Sequence, residues 1–164
     1  MVAAAGCGGM TSAPVVATSD EAQSKNASDY ENTYAGLCNY LLAHGYINPL
    51  EDNKNITFTE MDYSLVGASQ GNKFTCQMEG MSNVTIEIYD FTKSASPDEV
   101  YNSVKKDGKF SILGLDEVNA YLSDNGKYMM IYTDSNINWN NPDKNSKNYK
   151  TFEEFLKLFK EFHK

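Results

Sequence analysis

Arginine is missing from this chain. All 14 basic residues are Lys, and they stand against 22 Asp and Glu for a net charge of −8. Without a guanidinium fork no side chain can grip a phosphate or a guanine edge at two points, and the negative balance repels a polyanion. Composition therefore argues against nucleic-acid binding. An AT-rich genome would account for the missing Arg together with the abundance of Asn, Lys and Tyr, with the lost binding chemistry as its consequence. Histidine is nearly absent as well: His44 and His163 are the two present, far apart in sequence. The sequence contains no phosphate-binding glycine loop, no His-Glu-x-x-His and no Cys-x-x-Cys, so the common nucleotide and zinc signatures are missing. No apolar run approaches the roughly 18 to 20 residues that a membrane-spanning helix needs.

What is there suffices for a core. Of 164 residues, 41 % are hydrophobic and 12 % aromatic, too apolar for a disordered chain. Residues 1–27 are rich in Gly, Ser, Thr and Ala and carry no apolar period, which reads as a flexible tether. The remaining residues 28–164 are a common length for one domain.

Periodicity then orders the body. Ser28-Asp29-Tyr30-Glu31 has the form of a capping box, and Tyr30, Tyr34, Leu37 and Leu41 recur at helical spacing until Gly45. His44, in the last turn, is favoured there by the helix dipole. From Ile56 the period becomes two. Ile56 and Phe58, then Phe74, Cys76 and Met78, then Val84, Ile86 and Ile88 alternate with polar residues across Gly-, Ser- and Asn-rich turns, so three antiparallel strands are expected with one apolar and one polar face. Ser96-Pro97-Asp98-Glu99 starts a short helix that Gly108 ends. Lys109 to Leu113 reads as a fourth strand, and Asp124-Asn125-Gly126 joins Val118–Leu122 to Tyr128–Thr133 in a hairpin. Tyr128-Met129-Met130-Ile131-Tyr132 is apolar on both faces and belongs at the centre of a sheet. Thr151-Phe152-Glu153-Glu154 caps a last helix with a broad Phe and Leu stripe. The expected class is α+β, an antiparallel sheet of about six strands with three helices in the order α-β-β-β-α-β-β-β-α.

Few residues suggest chemistry. Glu60, Asp62, Glu87 and Asp90 lie on neighbouring strands, and two such carboxylates at glycosidase separation would permit hydrolysis, although polar-face carboxylates are ordinarily just solvated. Asp134-x-Asn136-x-Asn138 has the rhythm of a calcium loop, but Trp139 stands where Gly is needed and Asn145 where a bidentate Glu is needed, so no metal and no cofactor are expected. Cys38 flanks the first helix stripe and Cys76 the strand face beside Phe74. Both point into the helix–sheet interface, either as a disulfide in an oxidising compartment or as two buried thiols acting as small hydrophobes. Trp139, the one Trp, sits in a polar stretch from Asp134 to Lys150. It either folds back onto the last helix beside Phe155 or Phe159, or anchors a ligand with Asn138, Asn140 and Asn141 supplying hydrogen bonds.

Near the start, Ala4-Ala5-Gly6-Cys7 resembles the lipobox of bacterial lipoproteins. The resemblance implies that Cys7 carries diacylglycerol, that a charged and apolar leader precedes it, and that the body stands on the extracellular face of the bacterial membrane. Asn26-Ala27-Ser28, Asn55-Ile56-Thr57 and Asn83-Val84-Thr85 would then be accidental matches to glycosylation acceptors. The expected function is a non-enzymatic binding module for an unknown protein or glycan, with a surface hydrolase using the strand carboxylates as the alternative.

Overall fold

The computed structural model describes residues 24–44, 56–60, 63–78, 81–94, 99–112 and 114–164, with the side chains of 56–60, 75–78 and 81–83 outside that description. Cys7, Gly45, Asp62 and the cap Ser96-Pro97-Asp98 lie outside the described residues. The fold is α+β. After a single 3-10 turn at Ala27–Asp29 come helix α1 (Tyr34–Ala43) and strands β1 (Ile56–Glu60), β2 (Gln70–Met78) and β3 (Met81–Asp90). Helix α2 (Glu99–Asp107), strands β4 (Lys109–Phe110), β5 (Val118–Asn119), β6 (Tyr121–Leu122) and β7 (Tyr128–Asp134), and helix α3 (Lys147–Glu161) follow.

Five strands form one antiparallel sheet in the order β1-β2-β3-β7-β6, while β4 and β5 pair as a separate ribbon. The two-faced strand takes the inner position its sequence implies. Tyr128, Met130 and Tyr132 enter a core beneath α1 and α3 with Leu37, Leu41, Ile86, Ile88, Phe155 and Phe159. Met129 and Ile131 enter a second core on the opposite face with Val66, Tyr89, Val100, Val104 and Phe110. The expected polar face is therefore polar over only part of its length, where Lys73 and Glu87 pair at 3.4 Å and Thr133 is exposed.

Four boundaries differ from the sequence expectation. Helix α1 starts at Thr33, whose Oγ1 accepts the Gly36 amide at 3.1 Å. Upstream, Tyr30 sets its ring edge-on to Tyr40 at 5.8 Å and donates its hydroxyl to the Ser24 carbonyl at 2.6 Å, so the chain turns back onto the helix instead of continuing it. Helix α3 starts at Ser146, whose Oγ accepts the Tyr149 amide at 3.2 Å, which leaves Thr151 inside the helix. The expected strand Val118–Leu122 is cut at Ala120. Buried Ala120 donates its amide to the Gly108 carbonyl at 3.0 Å, so the residues before it pair with β4 and those after it with β7. The expected strand from Lys109 stops at Phe110, because Leu115 donates to the Ile112 carbonyl and Gly114 turns the chain at φ +73°.

Candidate functional site

Of the four strand carboxylates, the two described, Glu87 and Asp90, do not come together. Ile86 and Ile88 face the first core and Tyr89 the second, so by strand alternation Glu87 and Asp90 point to opposite sides of the sheet. Glu87 is held by Lys73 and by the Tyr89 hydroxyl at 2.8 Å. Asp90 is 3 % exposed and accepts from the amide and hydroxyl of Thr92 and from Gln70 Nε2. Each carboxylate is thus enclosed by its own donors. Glu60 and Asp62 have no described side chains.

The loop after β7 is built on Asp134, whose carboxylate is buried. Its Oδ1 accepts the amide of Asn136 at 2.8 Å and that residue's Nδ2 at 3.1 Å, and its Oδ2 accepts Nδ2 of Asn148 at 2.7 Å. This ties the loop to the first turn of α3. The side-chain oxygens of Asn138 and Asp143 each cap the amide two residues on. Among the described residues no group of three or more His, Cys, Asp or Glu stands together as a metal site.

Trp139 is half-buried. Its ring stands edge-on to Phe152 at 5.1 Å and to Tyr132 at 6.4 Å. These are the contacts of a residue pinning its loop to the last helix, with Phe152 and Tyr132 in place of the expected Phe155 or Phe159. Asn138, Asn140 and Asn141 are exposed beside it.

Cys38 is a free, fully buried thiol. Burial pushes it up to about 12, and nearby Asp90 adds to the rise while a hydrogen bond with Tyr34 works against it. Of the two readings, a bridge to Cys76 or a buried thiol, the free Cys38 fits the second. The side chain of Cys76 lies outside the described residues, and its backbone pairs with Val84 on β3.

Two surface features had no sequence expectation. The exposed large hydrophobic side chains among the described residues are Leu65 at 57 %, Leu115 at 71 % and Val118 at 36 %. They gather around the β4–β5 ribbon. Leu65 borders a cleft of about 330 Å³ with Val100, Phe110 and Ile112, Val118 pairs with Phe110, and Leu115 turns back to Ile112. The ribbon is tied at its neck by Lys109 and Glu117. A wider cleft of about 610 Å³ lies on the other side of α2, against the β6–β7 turn. The sequence signal for the apolar patch was Leu115 itself, a large aliphatic residue between Gly114 and Asp116-Glu117, where a turn is otherwise polar.

No protein-family model, curated protein or solved structure matches this chain. No helix of the described residues is long and apolar enough to cross a membrane.

Proposed function

We propose that this chain is an extracellular, membrane-anchored lipoprotein whose folded body is a non-enzymatic binding module for a protein partner. The observation that carries the binding role is the exposure of three large aliphatic side chains near one another: Leu65, which borders the 330 Å³ cleft, Val118, which pairs with Phe110 of that cleft, and Leu115, whose amide bonds back to Ile112 in its lining. Large aliphatic side chains scattered singly over a surface need no explanation, but a contiguous exposed group costs solubility unless something covers it. The ribbon is also held in place by Phe110 in the second core, and a fixed mount for such a group lowers the entropy lost on binding. Glu99, which lines the cleft, and the Lys109–Glu117 pair on the ribbon supply charge beside it, which fits the usual anatomy of an apolar centre with a polar border. Trp139, already packed on Phe152, is left to hold its own loop.

A catalytic pair of Glu87 with Asp90 is not favoured, because the two face opposite sides and each is held by its own donors. The anchor reading rests on Ala4-Ala5-Gly6-Cys7 and the small, polar stretch that follows.

A photo-crosslinking residue placed at position 115 in native cells tests the binding role. A discrete crosslinked protein band is expected from position 115, absent when Leu65 is also changed to Asp and absent from exposed position 153 on α3. Equal crosslinking from positions 115 and 153 would remove the proposal. The anchor is tested separately: with the full leader present, Cys7→Ala should move the protein from the membrane fraction to the medium, and unchanged fractionation would end that reading.

A further inference from the structure

We infer that the 610 Å³ cleft between α2 and the β6–β7 turn binds a small amphipathic anion, a carboxylate or phosphate monoester on an apolar body. The site is separate from the ribbon patch and goes beyond the binding role proposed above. Its volume lies within the ~300 to 1,000 Å³ of ordinary small-ligand sites. Val104, Ala120 and Leu122 supply apolar lining.

The polar wall is largely committed. Tyr101 donates its hydroxyl to the Gly126 carbonyl at 2.9 Å, and Ser123 donates to Asn125 Oδ1 at 2.8 Å. Asn125 Nδ2 donates to the Phe162 carbonyl at 2.9 Å, and the Asp124 carboxylate stands 3.5 Å from Lys164 Nζ. Two charged groups remain. Lys105 on α2 and Lys160 on α3 line the cleft, and neither has an ion-pair partner among the described residues. In a chain of net charge −8, two uncommitted ammonium groups beside an apolar lining select a ligand with a negative head and an apolar body. A cation would meet Lys105 and Lys160 as like charges, and a neutral apolar molecule would leave both ammoniums unused.

The test is a titration of the intact protein with octanoate and octyl phosphate, followed by amide NMR shifts. Octanol, octylammonium and phosphatidylglycerol vesicles serve as comparisons. Saturable shifts at Leu122, Gly126 and Lys105 are expected with both anions, and none with octylammonium. Lys105→Gln or Lys160→Gln should each weaken octanoate roughly three- to fivefold, and the pair about tenfold or more, the scale of exposed charge contacts. Raising salt from about 20 mM to about 0.5 M should weaken octanoate several-fold on the unaltered protein, a check that needs no variant. Equal binding of octanol, an unchanged affinity in the double variant, shifts confined to other residues, or a response to vesicles alone would each overturn the inference.

Discussion

Tyr34 on α1 donates its hydroxyl to Oδ1 of Asn72 on β2 at 2.8 Å, and the same oxygen lies 3.1 Å from the Ile88 carbonyl on β3. One side chain thereby joins the first helix to two strands inside the core. Asn72 is only 6 % exposed, so its oxygen has little water to fall back on. Tyr34→Phe should cost about 1 to 3 kcal/mol, the penalty for stranding a buried acceptor, read from the shift of a urea or guanidinium midpoint.

Alkaline pH should weaken the fold through the same group of tyrosines. Burial raises Tyr34 well above its ordinary value of 10.0 and lifts Tyr128 from 10.0 to about 12. Burial also raises Tyr89, helped by the neighbouring Glu87 carboxylate. With folded values above unfolded ones, the unfolded chain loses its protons first. Their contribution is therefore full below pH 10 and falls as pH rises toward the folded values. Each such tyrosine adds a slope of up to about 1.4 kcal/mol per pH unit across its window. Denaturant midpoints measured from pH 8 to 11.5 should be level at first and then decline; a flat profile throughout would contradict the buried, protonated state.

Cys38 should ignore thiol reagents in the native protein at pH 8, since its thiol is buried and raised to about 12. Labelling should become rapid in denaturant without any reductant, because the thiol is free. Mass measurement of the alkylated, unreduced chain checks both points, and a missing label on Cys38 would show a bond the structure does not contain.

Trp139→Ala should cost about 2 kcal/mol, less than the ~3 to 5 of a fully buried aromatic because part of the side chain remains in water. Denaturant titration gives the value. A loss under about 0.5 kcal/mol would mean that the contact with Phe152 does not hold the loop.

Gly126 sits at φ +71°, and an added Cβ would stand 3.1 Å from the Tyr101 hydroxyl. Gly126→Ala should destabilise by roughly 1 to 2 kcal/mol from the left-handed backbone alone. A thermal melt of that variant, lowered by several degrees, is the expected result.

How far each of these features could be read in advance depended on how local its cause is. Asn125-Gly126 identifies its hairpin because the positive φ and the Asn side chain act within a few residues. The two-sided apolar pattern of Tyr128 to Tyr132 places β7 inside the sheet for the same reason. Ser28 and Thr33 are both good caps, as are Ser146 and Thr151, and capping chemistry alone does not rank them. The ring of Tyr30 against Tyr40 decides the first case, a contact that exists only after the chain has folded. The pairing of β3 with β7 is likewise non-local. The strand carboxylates illustrate the same limit, since the opposite orientations of Glu87 and Asp90 follow from alternation only once one β3 strand is known to hold both. The ribbon patch went unread because Val118 and Leu115 look like strand and core residues until Ala120 is seen to split the strand.

Hydroxyl-radical labelling of Leu65, Leu115 and Val118, on the cell-bound protein and on the purified body side by side, tests the binding role most directly. Covered by a partner, the three side chains should be oxidised several-fold more slowly on cells, while exposed residues on α3 such as Lys157 react equally in both. Equal oxidation of Leu65, Leu115 and Val118 in the two samples would mean that nothing docks on the ribbon, and the proposed function would fall with it.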